Sequence, residues 1–246
     1  MMRFEIKRYG RPNADTLLFQ MVDEHDLEVI EQEVSYIRER SGGQDFCLTA
    51  VKVNDWNKDL SPWPAPAVFG NADIGDGAAE TLEYLLNEVV PDTDMSVSSG
   101  QRLFIGGYSL AGLFALWAGY QTDRFDGIAA ASPSIWFPSF TDYMRENQIR
   151  ADAVYLSLGD REERTKNPVM TAPDLRSGEP RGFERFKGIR KDSYISQVGN
   201  AIRDAEIILR DAGTGCILEW NKGNHFKEPD LRTAKAFAWL MNREKV

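Results

Sequence analysis

Apolar residues along the chain alternate between two spacings. Phe4–Arg8 and Leu17–Val22 are short runs that predict strands, separated by the turn signal Gly10-Arg11-Pro12-Asn13. From Glu28 to Arg40 the spacing changes to that of a helix, with Val29, Ile30, Val34 and Ile37 on one face and Gly42-Gly43 as its stop. The same exchange then repeats. Strands are expected at Cys47–Val53, Arg102–Gly107, Gly127–Ala131, Ala153–Leu158 and Cys216–Trp220, and helices at Ala78–Val90, Leu110–Tyr120, Tyr194–Ala212 and Asp230–Arg243. Strands that alternate with helices imply βαβ units, hence an α/β fold with a mainly parallel central sheet and helices on both faces. No linker interrupts the pattern and no repeat period appears, so residues 1–246 are expected to form one domain.

One stretch departs from amphipathic patterning. Leu103 to Thr122 carries no charge, nearly the length of a membrane span, but Gly106, Gly107, Ser109 and Gly112 break it early. It reads as a buried strand, a tight turn and a buried helix. Two long segments lack periodicity: 54–77, with Trp56, Trp63 and Phe69, and 160–183, which is polar and contains several Pro and Gly. Loops at the carboxyl ends of parallel strands form the sites of open α/β sheets, so both are expected to shape a pocket. Trp56, Trp63, Trp136 and Phe137 suggest that its surface is apolar or aromatic.

Composition narrows the function classes. With 42% hydrophobic and 27% charged residues the chain is ordinary globular material, which excludes disorder and collagen-like repeats. Its 29 Lys+Arg against 38 Asp+Glu give a net charge of −9, which argues against a nucleic-acid backbone as partner. Cys47 and Cys216 lie far apart beside apolar runs, without metal spacing; two buried thiols in a reducing compartment are expected. Charges at Arg3, Glu5, Lys7 and Arg8 leave no apolar core for a signal peptide, so a cytoplasmic location and no membrane partner are expected. With only two histidines, no zinc site is expected, and the absence of G-x-G-x-x-G and of a P-loop argues against a bound nucleotide. No cofactor is implied.

The chemistry is concentrated at Gly107-Tyr108-Ser109-Leu110-Ala111, placed between a strand and a helix. That is the context of a nucleophile elbow, where a serine on a strained turn exposes its hydroxyl above the sheet. Residues two before and two after it approach closely and must be small, as Gly107 and Ala111 are. The N–H of Leu110, opening the helix, is one oxyanion donor. A serine needs a base. His25 sits in an acidic stretch at a helix start, whereas His225, in Gly223-Asn224-His225-Phe226 after the last strand, stands where the order serine, acid, histidine requires it. The acid is expected in Gly159-Asp160-Arg161-Glu162-Glu163, and spacing leaves Asp160, Glu162 and Glu163 open. A second oxyanion donor is expected near Trp56 or Asn57, in the loop after an early strand; the alternative is that this loop's tryptophans cover the core.

Taken together, the elbow, Ala131-Ser132-Pro133-Ser134-Ile135-Trp136, Gly159-Asp160-Arg161-Glu162 and Gly223-Asn224-His225-Phe226 resemble the esterase family of α/β-hydrolases that includes siderophore esterases and esterase-D-like enzymes. The resemblance runs from about Val51 to the end of the chain, although Pro168 to Lys191 matches nothing recognisable. It implies a serine hydrolase of small-molecule carboxylic esters, with Ser109 as nucleophile and His225 as base. It favours Glu162 as the acid, with Asp160 the runner-up. By the same analogy, Tyr108, Ser132, Ser134 and Trp136 line the substrate pocket. An acyltransferase or thioesterase with the same residues, and a non-catalytic binding protein of the same fold, are the alternatives.

Overall fold

In the computed structural model, residues 4–65, 74–90, 100–163 and 198–244 are described. The expectations for Phe69, for the 164–183 part of the long polar loop and for the first turn of the 194–212 helix lie outside these residues.

The described strands are β1 (Glu5–Gly10), β2 (Thr16–Val22), β3 (Cys47–Lys52), β4 (Arg102–Tyr108), β5 (Gly127–Ala131), β6 (Ala153–Gly159) and β7 (Gly215–Asn221). They form one sheet in the order β1-β3-β2-β4-β5-β6-β7. Only β1 runs antiparallel, pairing Glu5 with Lys52 and Gly10 with Cys47 along the edge of β3. The other neighbours are parallel, and β4 lies between β2 and β5. Period-two alternation sorts the side chains. Leu17, Phe19 and Met21 of β2 face one apolar cluster, while Leu18 and Val22 face another across the sheet.

Helices cover both faces. The first cluster includes α3 (Ala78–Tyr84), which continues as a π-helical turn at Leu85–Val89, together with α4 (Leu110–Gln121), α5 (Phe140–Glu146) and α6 (Val198–Asp211). The second packs α1 (Glu24–Arg40) and α7 (Pro229–Met241) on the opposite face. A one-turn helix, α2 (Trp56–Asp59), follows β3, with Asp55 accepting from the Lys58 N–H as its N-cap.

Several boundaries differ from the sequence reading for local reasons. α1 begins at Glu24 because Asp23 and Asp26 form a reciprocal capping box, so His25 is exposed in its first turn. Its buried stripe is Ile30, Glu33, Val34 and Ile37. Val29, expected on that face, is 41% exposed because it lies one residue, about 100°, off the stripe. α5 carries little periodic signal, since only Phe140 and Met144 mark its buried side. α4 is buried from Leu110 through Tyr120, as the uncharged run requires. Cys47 is buried, but Cys216 is only partly so, which corrects the expectation of two buried thiols. It lies on β7, which among the described strands pairs with β6 alone and forms the edge of the sheet.

Candidate active site

The candidate residues gather at the carboxyl ends of β4, β5, β6 and β7. Ser109 follows β4 and precedes α4 in a strained backbone conformation, φ 57° and ψ −118°. The strain is held from three sides. The Ser109 N–H donates to the Ala131 carbonyl at 3.2 Å, and its carbonyl accepts from Leu113 at 3.1 Å and Ser134 at 2.9 Å. Gly107 is required by contact: a Cβ there would lie 2.6 Å from that of Ala111. Leu110 is the first residue of α4, so its N–H lacks an intrahelical acceptor and points out of the helix start.

The Ser109 hydroxyl lies 2.9 Å from Nε2 of His225, and Nδ1 of His225 lies 2.7 Å from Oε2 of Glu162. An ionised carboxylate only accepts, so the proton sits on Nδ1 and Nε2 is left to accept from the serine. Glu162 is nearly buried, and burial raises its pKa. His225, the Gly159 N–H and Arg232 outweigh this, so the carboxyl is held below the usual glutamate range. Its other oxygen accepts from the Gly159 N–H at 2.7 Å, from Arg232 at 2.8 Å and from the Ser132 hydroxyl at 3.2 Å.

The three acidic candidates separate by contact. Glu162 meets the imidazole. Asp160 accepts from the Gly223 N–H at 2.8 Å and so holds the loop that carries the histidine. Glu163 pairs with Arg203 of α6. Gly223 has φ +114°, open to glycine at little cost, and its carbonyl would lie 2.4 Å from a Cβ at Gly159. The acid loop and the histidine loop are therefore fitted backbone to backbone.

The positions expected in the pocket wall divide by burial. Ser132 is fully buried at φ 40°, and its hydroxyl serves Glu162, so it sits behind the site. Tyr108 is also largely buried. Its hydroxyl donates to the His225 carbonyl at 2.7 Å, and burial, then the Glu162 charge, pushes its pKa to about 12. Ser134 is nearly buried, but its hydroxyl lies 3.3 Å from that of Ser109. Trp136 stays partly exposed, packed beside Phe137. Phe137 itself is buried and belongs to the core, whereas Trp63 stays partly exposed, packing on Phe137, Phe140 and Tyr143 while donating to the Pro138 carbonyl. Trp56 and Asn57 form the start of α2; Trp56 packs partly buried against the core, and the Asn57 carbonyl accepts from Ser61.

Two further side chains meet the site. Phe226 stands 81% exposed with its ring edge-on to His225. Arg232 of α7 is 1% exposed and touches the site through both arms of its guanidinium. A signal for it was present: Arg232 lies on the stripe of Ala236 and Leu240, where a buried helix face otherwise carries apolar side chains.

This combination of sheet order, elbow and residue placement defines the α/β-hydrolase fold. Solved structures agree. The siderophore hydrolase EstA from Aspergillus nidulans superposes with TM-score 0.70 at 20% identity, over 97% of this chain and 90% of its own. EstB, a siderophore hydrolase of the same organism, gives 0.67 at 18%, over 99% and 93%. An IroE-like serine hydrolase from Shewanella oneidensis gives 0.67 at 14%, over 97% and 80%. No protein-family model and no curated protein sequence matches the chain.

Proposed function

We propose that the protein is a serine hydrolase of carboxylic esters. The observation that carries this reading is the continuous hydrogen-bonded line from Ser109 through His225 to Glu162, set on a serine in an elbow conformation. His225 takes the Ser109 proton as Oγ attacks the ester carbonyl. The imidazolium so formed is stabilised by Glu162. The oxyanion is met by the Leu110 N–H and by a second donor from the Trp56–Asn57 turn. His225 then protonates the departing alcohol, and the acyl group stays on Ser109. Water activated by the same imidazole attacks the acyl carbonyl, and the acid leaves as Ser109 recovers its proton. No step calls on a metal or a cofactor.

The names of the superposed siderophore hydrolases make siderophore esters the first natural substrate class to try, and the partly exposed Trp56 and Trp136 suit aromatic groups. The deciding experiment is hydrolysis of a short p-nitrophenyl ester by wild type and Ser109→Ala, each also exposed to a fluorophosphonate label. Turnover and labelling of wild type, both abolished in the variant, are expected. A folded wild type that neither turns over nor labels would favour the binding-protein alternative, and full activity in the variant would remove Ser109 from the chemistry.

A further inference from the structure

Four segments of the site meet at one buried guanidinium. Nη1 of Arg232 donates to the Tyr108 hydroxyl at 3.0 Å, to the Ser132 hydroxyl at 3.1 Å and to Oε1 of Glu162 at 2.8 Å. Nη2 donates to the carbonyls of Asn224 at 3.0 Å and Lys222 at 3.4 Å. One arm therefore meets the end of β4, the loop after β5 and the acid loop; the other meets the loop that carries His225. The Tyr108 hydroxyl in turn donates to the His225 carbonyl and closes the ring of contacts.

We infer that Arg232 is the positioning residue of this site: its planar fork sets the distance between the acid loop and the histidine loop, so that Oε2 of Glu162 faces Nδ1 of His225. The inference rests on the hydrolase reading for its kinetic consequence but not for its structural one. A structural role limited to charge balance would need only a cation. What the geometry uses is the fork, whose two arms point in fixed directions from one plane. Occupying Oε1 with Arg232 and the Gly159 N–H leaves Oε2 as the oxygen free for the imidazole. Because Arg232 belongs to α7, packed under β4, β5 and β6, the alignment is referred to the rigid sheet rather than to the loops themselves.

Arg232→Lys separates fork from charge. Lysine keeps the cation beside Glu162 but cannot span both loops. With an ester substrate, kcat is expected to fall about tenfold to a hundredfold with KM unchanged, since misplacement of the base acts on the chemical step. Arg232→Met, which loses both features, should fall further, with lysine restoring part of the loss. The second readout needs no substrate: the proton NMR signal of the His225 Nδ1–H, held against Glu162, is expected in wild type, retained in His25→Gln and broadened or lost in Arg232→Lys whose far-ultraviolet circular dichroism matches that of wild type. Should the methionine variant fail to fold, the lysine variant decides. Wild-type kcat and an unaltered Nδ1–H signal in folded Arg232→Lys would overturn the inference. An inactive wild type would instead count against the hydrolase reading, and the NMR comparison would still judge Arg232.

Discussion

At the scale of single residues, the carboxylates after β6 carry distinct duties despite their adjacency. Glu162 bonds the imidazole, whereas Asp160 bonds a backbone N–H of the neighbouring loop. Glu162→Gln should therefore lower kcat by about a thousandfold or more, because an amide no longer dictates the imidazole tautomer or stabilises its cation. Asp160→Asn keeps an acceptor for Gly223 and should cost less than about tenfold. Steady-state kinetics on the two variants checks the contrast, and equal losses would make the assignment of the acid wrong. Gly107 offers a steric counterpart. The 2.6 Å approach to Ala111 means that Gly107→Ala should destabilise the fold by about 1–3 kcal/mol, read by urea unfolding.

At the scale of elements, α1 contains an internal conflict. Glu33 lies on its buried stripe against β2, where Gln20 donates to one carboxylate oxygen at 3.3 Å and the other oxygen has no partner among the described residues. Burial, opposed only by that bond, raises its pKa well above the ordinary 4.5. The sign follows from linkage: the unfolded chain releases this proton near its ordinary value while the folded chain retains it, so stability from this group is lost as pH rises above that value. Glu33→Gln should gain stability relative to wild type at pH 7 and little at pH 4, measured by chemical denaturation at both. An equal effect at both pH values would count against a protonated Glu33. The cap of the same helix supplies an independent check: Asp23→Ala removes the side chain that accepts from Asp26 and should cost about 1 kcal/mol.

At the scale of the whole molecule, two apolar layers sandwich the sheet, and the site sits where the strands of both end. Phe114 of α4 is fully buried in one layer and Phe237 of α7 in the other. Each change to alanine is expected to cost about 3–5 kcal/mol. We propose that the layers unfold as one domain. Near-ultraviolet and far-ultraviolet signals should then shift together in both variants; separate transitions would show two cooperative units. Among the described residues, no helix is long and apolar enough to cross a membrane.

The alternation of strand and helix, the parallel sheet, and the strand–turn–helix around Ser109 were legible in the sequence, because they depend on local periodicity and on small residues at fixed offsets. Chain order likewise separated His225 from His25. Contacts between segments distant in the chain were not legible. Spacing left Asp160, Glu162 and Glu163 open, since which carboxylate meets the imidazole depends on how two loops fit across Gly159 and Gly223. The resemblance places Ser132 and Tyr108 in the pocket wall and the sequence suggests Phe137 for the binding surface, yet packing turns all three inward. Arg232 is not legible in the sequence because its acceptors come from four separate segments, which only the assembled sheet brings within reach of one side chain. A sequence records local preference; the convergence of distant hydrogen-bonding groups on one buried guanidinium is decided by tertiary packing.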